Sequence, residues 1–364
     1  MMMIMKTISV QLPPPVPVRY DVRIVSELEA ALELEIAGPR RWVLIADRNL
    51  AGLLGERIAN KLGVPLFSFA AGEANKTLET WANLSRSLLK AGFGRDSGIV
   101  ALGGGVTGDI AGFVAATYMR GIPVIQVPSS LLAMIDASIG GKTGVDTPEG
   151  KNLIGAFHQP QAVLIDPELL RSLPDTELQA GLAEAVKHGA IADPAYLQFI
   201  HANFASIMAR DPGALRELVS RSVEIKAGYV NEDPFEAGPR AALNFGHTIG
   251  HALERVMNFT MHHGHAVAIG MVIEARIGES LGVTAAGTAD TLCDVLKASG
   301  LPIELPSQAN GAEVLAATAT DKKAREGTVR YTLLARVGEI ARAADGGWTH
   351  SVESGVVETC LRQN

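Results

Sequence analysis

The chain has 364 residues, of which 47% are hydrophobic and 20% charged, a balance that excludes a mainly disordered protein and leaves room for two domains of about 150 residues each. A formal net charge of −7 with no Lys/Arg run offers no footprint for a phosphate backbone, so no nucleic-acid partner is expected and a small molecule is. Two cysteines, Cys293 and Cys360, build no disulfide framework, no stretch reaches the roughly 18 apolar residues of a membrane span, and the first residues lack the apolar core and cleavage site of a secretory signal. The expected setting is therefore the cytoplasm.

From about residue 20 to 165, short β-rich runs alternate with amphipathic stretches. WVLIA (42–46) precedes a helix over 50–62, PLFSFA (65–70) a helix over 77–91, and GIVAL (98–102) a helix over 108–119, before PVIQVP (123–128). This alternation predicts βαβ units on a mostly parallel sheet. Beyond about residue 170 the stretches 175–192, 194–209, 213–230, 240–257, 265–282 and 287–299 read as helices. Pro174, Pro194, Pro212 and Pro239 stand at or near their starts, where a missing N–H is tolerated. TVRYTLLARVG (328–338) alternates like a strand, and a short helix follows near the C-terminus. The expected architecture is an α/β nucleotide-binding domain over 1–170 and a mainly α-helical domain over 171–364, with the site in the cleft between them.

Three motifs carry chemistry. Gly103, Gly105 and Gly108 satisfy G-x-G-x-x-G between the strand GIVAL and a helix, where glycines let backbone approach a pyrophosphate and the helix start supplies N–H groups. The loop follows about the third strand and no acidic residue ends the next one, so a nucleotide is expected in a non-standard arrangement. Ile139-Gly-Gly-Lys-Thr-Gly144 is not an ATP-binding P-loop, because Asp136 occupies the position of its first glycine. Arg120, Ser129, Ser130, Asp136, Lys142, Lys151 and Asn152 instead form a polar run in an apolar stretch, with Lys142 and Lys151 on glycine-rich turns suited to phosphate or carboxylate. His247 and His251 lie four apart on one helical face, Glu184 and Lys187 share another, and His262, His263 and His265 cluster downstream. Two histidines and a carboxylate suit a catalytic divalent metal, but spacing does not select the histidines.

These residues bring a family into view. GGGVTGDIAGFVAATYMRG, VPSSLLAMIDASIGGKTGVDTPEGKNLIGAFHQP, AEAVKHG, NFGHTIGHALE, HGHAVAIGM and Asp321-Lys-Lys together resemble the 3-dehydroquinate synthases, within the wider sugar phosphate cyclases, over nearly the whole chain. The resemblance implies an NAD- and metal-dependent lyase that turns 3-deoxy-D-arabino-heptulosonate 7-phosphate into 3-dehydroquinate and phosphate for the shikimate pathway, acting as a homodimer. It further implies Glu184, His247 and His263 as ligands of zinc or cobalt. NAD would be held by Asp47, Asn49, Glu73, Lys76, Gly104, Gly105, Gly108, Asp109, Ser129, Ser130, Lys151, Leu169 and Ser172. Substrate would meet Arg120, Asp136, Lys142, Asn152, Lys187, Lys226, Arg240, Asn244, His251 and Lys322 or Lys323, with Lys142, Asn152, Lys187, Glu236 and His251 catalytic.

The sister enzymes 2-deoxy-scyllo-inosose synthase and 2-epi-5-epi-valiolone synthase are the alternatives. Their substrates lack a carboxylate, and Lys226, Arg240 and Asn244 favour a substrate that has one. Iron-dependent alcohol dehydrogenases share a similar two-domain architecture but carry out net redox. One departure from the family stands out: His265 occupies the place of the usual Glu in His-Gly-Glu-Ala-Val, which opens the question of what orients the ligating imidazoles.

Overall fold

In the computed structural model, which describes residues 18–319 and 329–364, the first half begins β1 (Asp21–Ile24), α1 (Leu28–Glu35), β2 (Arg41–Asp47), α2 (Arg48–Leu50), α3 (Glu56–Leu62) and β3 (Leu66–Phe69). It continues α4 (Leu78–Lys90), β4 (Ser97–Gly103), α5 (Gly105–Thr117), β5 (Val124–Pro128), β6 (Lys142–Thr147), β7 (Gly150–Phe157) and β8 (Ala162–Ile165). Six strands form one parallel sheet in the order β1-β8-β5-β4-β2-β3. Along β2 and β4, Val43, Ile45, Ile99 and Ala101 pack toward α4 and α5, while Leu44, Ala46, Val100 and Leu102 pack toward α1 and α3. Burial on both faces is why these strands read as unbroken apolar runs.

Several expectations need correction here. The helix expected over 50–62 is interrupted by a widened turn at 51–55 between α2 and α3. Lys142 and Lys151 sit on the antiparallel hairpin β6–β7, which alternation did not reveal, rather than on turns. The turn chemistry lies just before it, where Gly140 and Gly141 adopt φ of +99° and +69°. β1, α1 and β8 were also unforeseen.

The second half comprises α6 (Asp175–Ala192), α7 (Pro194–Met208), α8 (Pro212–Glu232), α9 (His247–Val256), α10 (His263–Ser280), α11 (Thr288–Ala298) and α12 (Gly311–Thr318). Short strands β9 (Arg330–Tyr331), β10 (Leu334–Arg336), β11 (Glu339–Ile340) and β12 (His350–Ser351) precede α13 (Ser354–Arg362). The strand-like stretch at 328–338 is thus two short strands, with β10 pairing to β11. The helix expected over 240–257 is two pieces: tight turns over Pro239–Asn244, then α9. Gly246 breaks them apart with φ +79°, a conformation no continuous helix contains.

Val163 and Ile165 of the sheet share one core with Leu178, Leu182 and Val186 of α6, so the halves are packed together along α6. That packing buries α6 on nearly every side and sets Glu184 and Lys187 deep in the molecule. Among the described residues no helix is long and apolar enough to cross a membrane.

Candidate active site

Three helices bring the acid and imidazoles together. Glu184 of α6 is wholly buried, and its Oε1 lies 3.3 Å from His247 Nε2 and 3.4 Å from His263 Nε2. That oxygen has no hydrogen-bond partner. The other ring nitrogens are engaged: His247 Nδ1 meets the Phe245 carbonyl and His263 Nδ1 the Glu254 carboxylate, each at 3.1 Å. With Nδ1 donating, each Nε2 is turned toward Glu184, where it is a ligand atom whenever it carries no proton, and the three ligand atoms lie within 4.8 Å of one another. A buried carboxylate oxygen facing the Nε2 atoms of two imidazoles whose Nδ1 atoms are already engaged fits a divalent cation with open positions.

Without a cation, the cluster holds one carboxylate against two imidazoles of unlike charge, and a cation would take the place of the His263 Nε2 proton. Burial opposes ionisation of Glu184, but the Lys187 ammonium and the two imidazoles hold its carboxyl well below the usual range. Burial pushes His247 down to about 4. Burial would lower His263 too, but Glu184 and Glu254 outweigh it and raise that imidazole to about 10.

His265 stands outside this cluster, its ring packed 5.3 Å from that of His262. The carboxylate behind the imidazole comes instead from Glu254, one turn beyond His251 on α9, which answers the question His265 raised. Sequence reasoning missed Glu254; its signal was a place on the same helical face as His247 and His251. The His251 ring lies 5.3 Å from that of His247 and 5.9 Å from that of His263.

A chain of charged groups leads away from the cluster. Lys187 is hydrogen-bonded to Glu184 and stands 3.9 Å from Asp136, which also takes Lys226 at 2.5 Å. Lys142 pairs with Glu236, and Asn244 donates to Glu236 at 2.6 Å. Glu236 and Asn152 hold φ of 59° and 54°, backbone strain of the kind that collects at working sites. Arg240 is 1% exposed; its guanidinium donates to the carbonyls of Pro234 and Gly140, while Nε has no partner. Among the described residues no carboxylate lies within ion-pair distance of it. Asp233, a second residue sequence reasoning missed, holds the turn before Arg240 by accepting from the N–H groups of Ala237, Gly238 and Arg240.

The glycine loop lies at the carboxyl edge of the sheet, where open α/β folds bind ligands. β4 ends at Gly103, and no side chain caps the first turn of α5, leaving its N–H groups over a cradle formed by Gly104 and Gly105. A Cβ on Gly104 would come 3.4 Å from Ser130 Oγ, and one on Gly108 within 2.9 Å of Gln126. Ser129 N donates to the Gly103 carbonyl at 2.9 Å, which sets the β5 loop beside the cradle. Asp47 ends the adjacent β2 and caps α2 through the N–H groups of Asn49 and Leu50; Leu169 and Ser172 follow β8 at the same edge.

Lys76 joins this region to the hairpin, reaching Asp109 and Asn152 at 2.5 Å each. Lys151 reaches Glu254 at 3.0 Å and Glu73 at 3.8 Å. Arg120 is set apart, since it follows α5, whose 13 residues carry the chain about 20 Å from the cradle. Lys322 and Lys323 lie outside the described residues.

A glycine cradle at a helix start, joined through a hairpin to a buried carboxylate–imidazole cluster, suits an enzyme that uses a nucleotide and a divalent cation together. Family models described as 3-dehydroquinate synthase N-terminal and C-terminal match residues 66–180 and 181–324. A 3-dehydroquinate synthase of Symbiobacterium thermophilum is 44% identical over 335 residues, covering 90% of this chain and 94% of its own. Among solved structures, a 2-epi-5-epi-valiolone synthase from Streptomyces hygroscopicus with NAD+ and Zn2+ bound matches with a TM-score of 0.87 at 28% identity, covering 97% of this chain and 98% of that one. A 2-deoxy-scyllo-inosose synthase complexed with carbaglucose-6-phosphate, NAD+ and Co2+ matches at 0.86 and 26%, covering 94% and 96%. The chain belongs to the 3-dehydroquinate synthase family.

Proposed function

We propose that the chain converts 3-deoxy-D-arabino-heptulosonate 7-phosphate to 3-dehydroquinate and phosphate, using NAD and one zinc or cobalt ion. Arg240 carries the choice of substrate: a buried guanidinium with no carboxylate at ion-pair distance among the described residues is costly, and a carboxylate on the substrate would complete it. The sister cyclases' substrates offer no such group. The identity of 44% to a 3-dehydroquinate synthase, against 28% and 26% to the two sister enzymes, supports the same choice.

When bound, the cation supplies Lewis acidity to a substrate hydroxyl and NAD a reversible hydride acceptor, so the cycle has no net redox. Glu184, His247 and His263 would hold the cation, with Glu254 fixing the His263 ring and the Phe245 carbonyl the His247 ring. The Gly104–Gly105 cradle and the start of α5 would take the pyrophosphate, and Asp47, Asn49, Glu73, Lys76, Gly108, Asp109, Ser129, Ser130, Lys151, Leu169 and Ser172 the rest of the nucleotide. Lys142, Asn152, Lys187 and His251 would cradle the substrate phosphate, which can serve as its own base in the elimination while the protein orients it. Glu236 and His251 would move protons, and Asp136, Lys226 and Asn244 would position the sugar acid. On the same reading, supported by the family resemblance, the enzyme works as a homodimer in the cytoplasm.

The test is phosphate release from the heptulosonate phosphate with NAD and zinc, beside glucose 6-phosphate and sedoheptulose 7-phosphate, with and without a chelator. Chelator-sensitive release from the heptulosonate alone is the expected result. Release from only one of the other sugars would move the protein to a sister cyclase and remove the role given to Arg240.

A further inference from the structure

We infer that Glu274 is a positioning residue for the candidate metal centre, its buried carboxylate fixing the start of α9 and through it the direction of His247. The inference rests on reading Glu184, His247 and His263 as a divalent-metal site.

Helix α9 opens with no cap of its own. Its preceding residue, Gly246, has no side chain and a left-handed backbone, yet the helix start is buried, where unpaired N–H groups are costly. Glu274 takes those donors. Its Oε2 accepts from Gly246 N at 2.7 Å, and its Oε1 from Thr248 N at 3.0 Å and Ile249 N at 3.1 Å. His247 is therefore bracketed in the chain by two anchored N–H groups, those of Gly246 and Thr248.

The anchor belongs to α10, the helix whose first residue is His263, so one carboxylate ties the helix bearing one imidazole to the helix bearing the other. The two backbones touch at this point. A Cβ on Gly270 would come within 2.0 Å of the Gly246 carbonyl oxygen, and one on Gly246 within 2.9 Å of Met271 N. Glu274 is 0% exposed and stands in the otherwise apolar run Ile269–Ala275, where a charge is retained only against strong donors. A Gln in its place has one acceptor oxygen, so its amide N–H2 must face either the Gly246 N–H or the Thr248 and Ile249 pair. Donor would then oppose donor, and the start of α9 would shift.

Metal-free wild type, E274Q, E274D and H247A would be titrated with Co2+ alone, reading affinity by chelator competition and geometry from the visible cobalt spectrum. L292A, a core change on α11, serves as a control for general destabilisation. E274Q is expected to lose about 10- to 100-fold in cobalt affinity with an altered spectrum, while it still binds NAD. E274D, which keeps both oxygens, should lie between, and it carries the comparison if E274Q does not fold. L292A should bind cobalt as wild type does. Wild-type affinity and spectrum in E274Q, or in E274D where E274Q does not fold, with binding lost in H247A, would overturn the inference alone. Failure of wild type to bind cobalt, or undiminished binding by H247A, would overturn the metal reading and this inference with it.

Discussion

Lys151 Nζ lies 3.0 Å from Oε1 of Glu254, whose other oxygen faces His263 Nδ1 at 3.1 Å. A lysine on the hairpin β6–β7 thus holds the carboxylate that orients a candidate metal ligand. Burial opposes ionisation of Glu254, but His263 and Lys151 draw its carboxyl down to about 2, so it stays an anion across the working range.

Glu254→Gln removes that charge while keeping an acceptor for His263. Zinc affinity is expected to fall about tenfold or more. Competition with a fluorescent chelator reads it; wild-type affinity would show that Glu254 does not set the imidazole.

His263→Ala and His265→Ala separate the neighbouring histidines. The first should abolish zinc retention after dialysis, because it removes one of three ligands. The second should leave retention within about twofold, since the His265 ring packs on His262 outside the cluster. Equal losses in the metal content of the two variants would undo the ligand assignment.

Arg240→Ala should lower kcat/KM by about 100-fold or more, the consequence of losing about 3 kcal/mol in a buried charge pair. NAD binding, measured by calorimetry, should stay within about twofold. Arg240→Lys should recover little, because an ammonium cannot reproduce the planar fork. Comparable loss of NAD binding would remove the assigned role.

His188 offers a pH signature. Burial, then the Lys187 ammonium, pushes its imidazole down to about 3, against an ordinary value of about 6.5. Between those values the unfolded chain binds a proton that the folded chain does not, so stability present above pH 6.5 is lost as pH falls, by up to about 1.4 kcal/mol per unit. Urea unfolding from pH 6.5 to 4.5 should show a steeper loss in wild type than in His188→Gln. Identical slopes would mean that His188 is not held neutral.

The parallel sheet was legible because strands buried on both faces are apolar nearly throughout: WVLIA and GIVAL carry no polar side chain, and PVIQVP carries only Gln126. The hairpin β6–β7 was not, because its outer strand leaves Leu153, Ile154 and Phe157 exposed and so breaks the expected alternation. The break before α9 was hidden because Gly246 is excused from helical geometry by close contact with α10, a helix outside its own local segment.

Composition, periodicity and motif spacing sufficed for the class of architecture, the glycine cradle and the shared face of His247 and His251, since these depend on neighbours within a few residues along the chain. Choosing His263 from the residues alone, finding Glu254 and Glu274, and leaving Arg240 without an ion-paired acid among the described residues required the fold. Those relationships join separate helices, and only their packing decides which polar atoms are buried together and which remain without a partner.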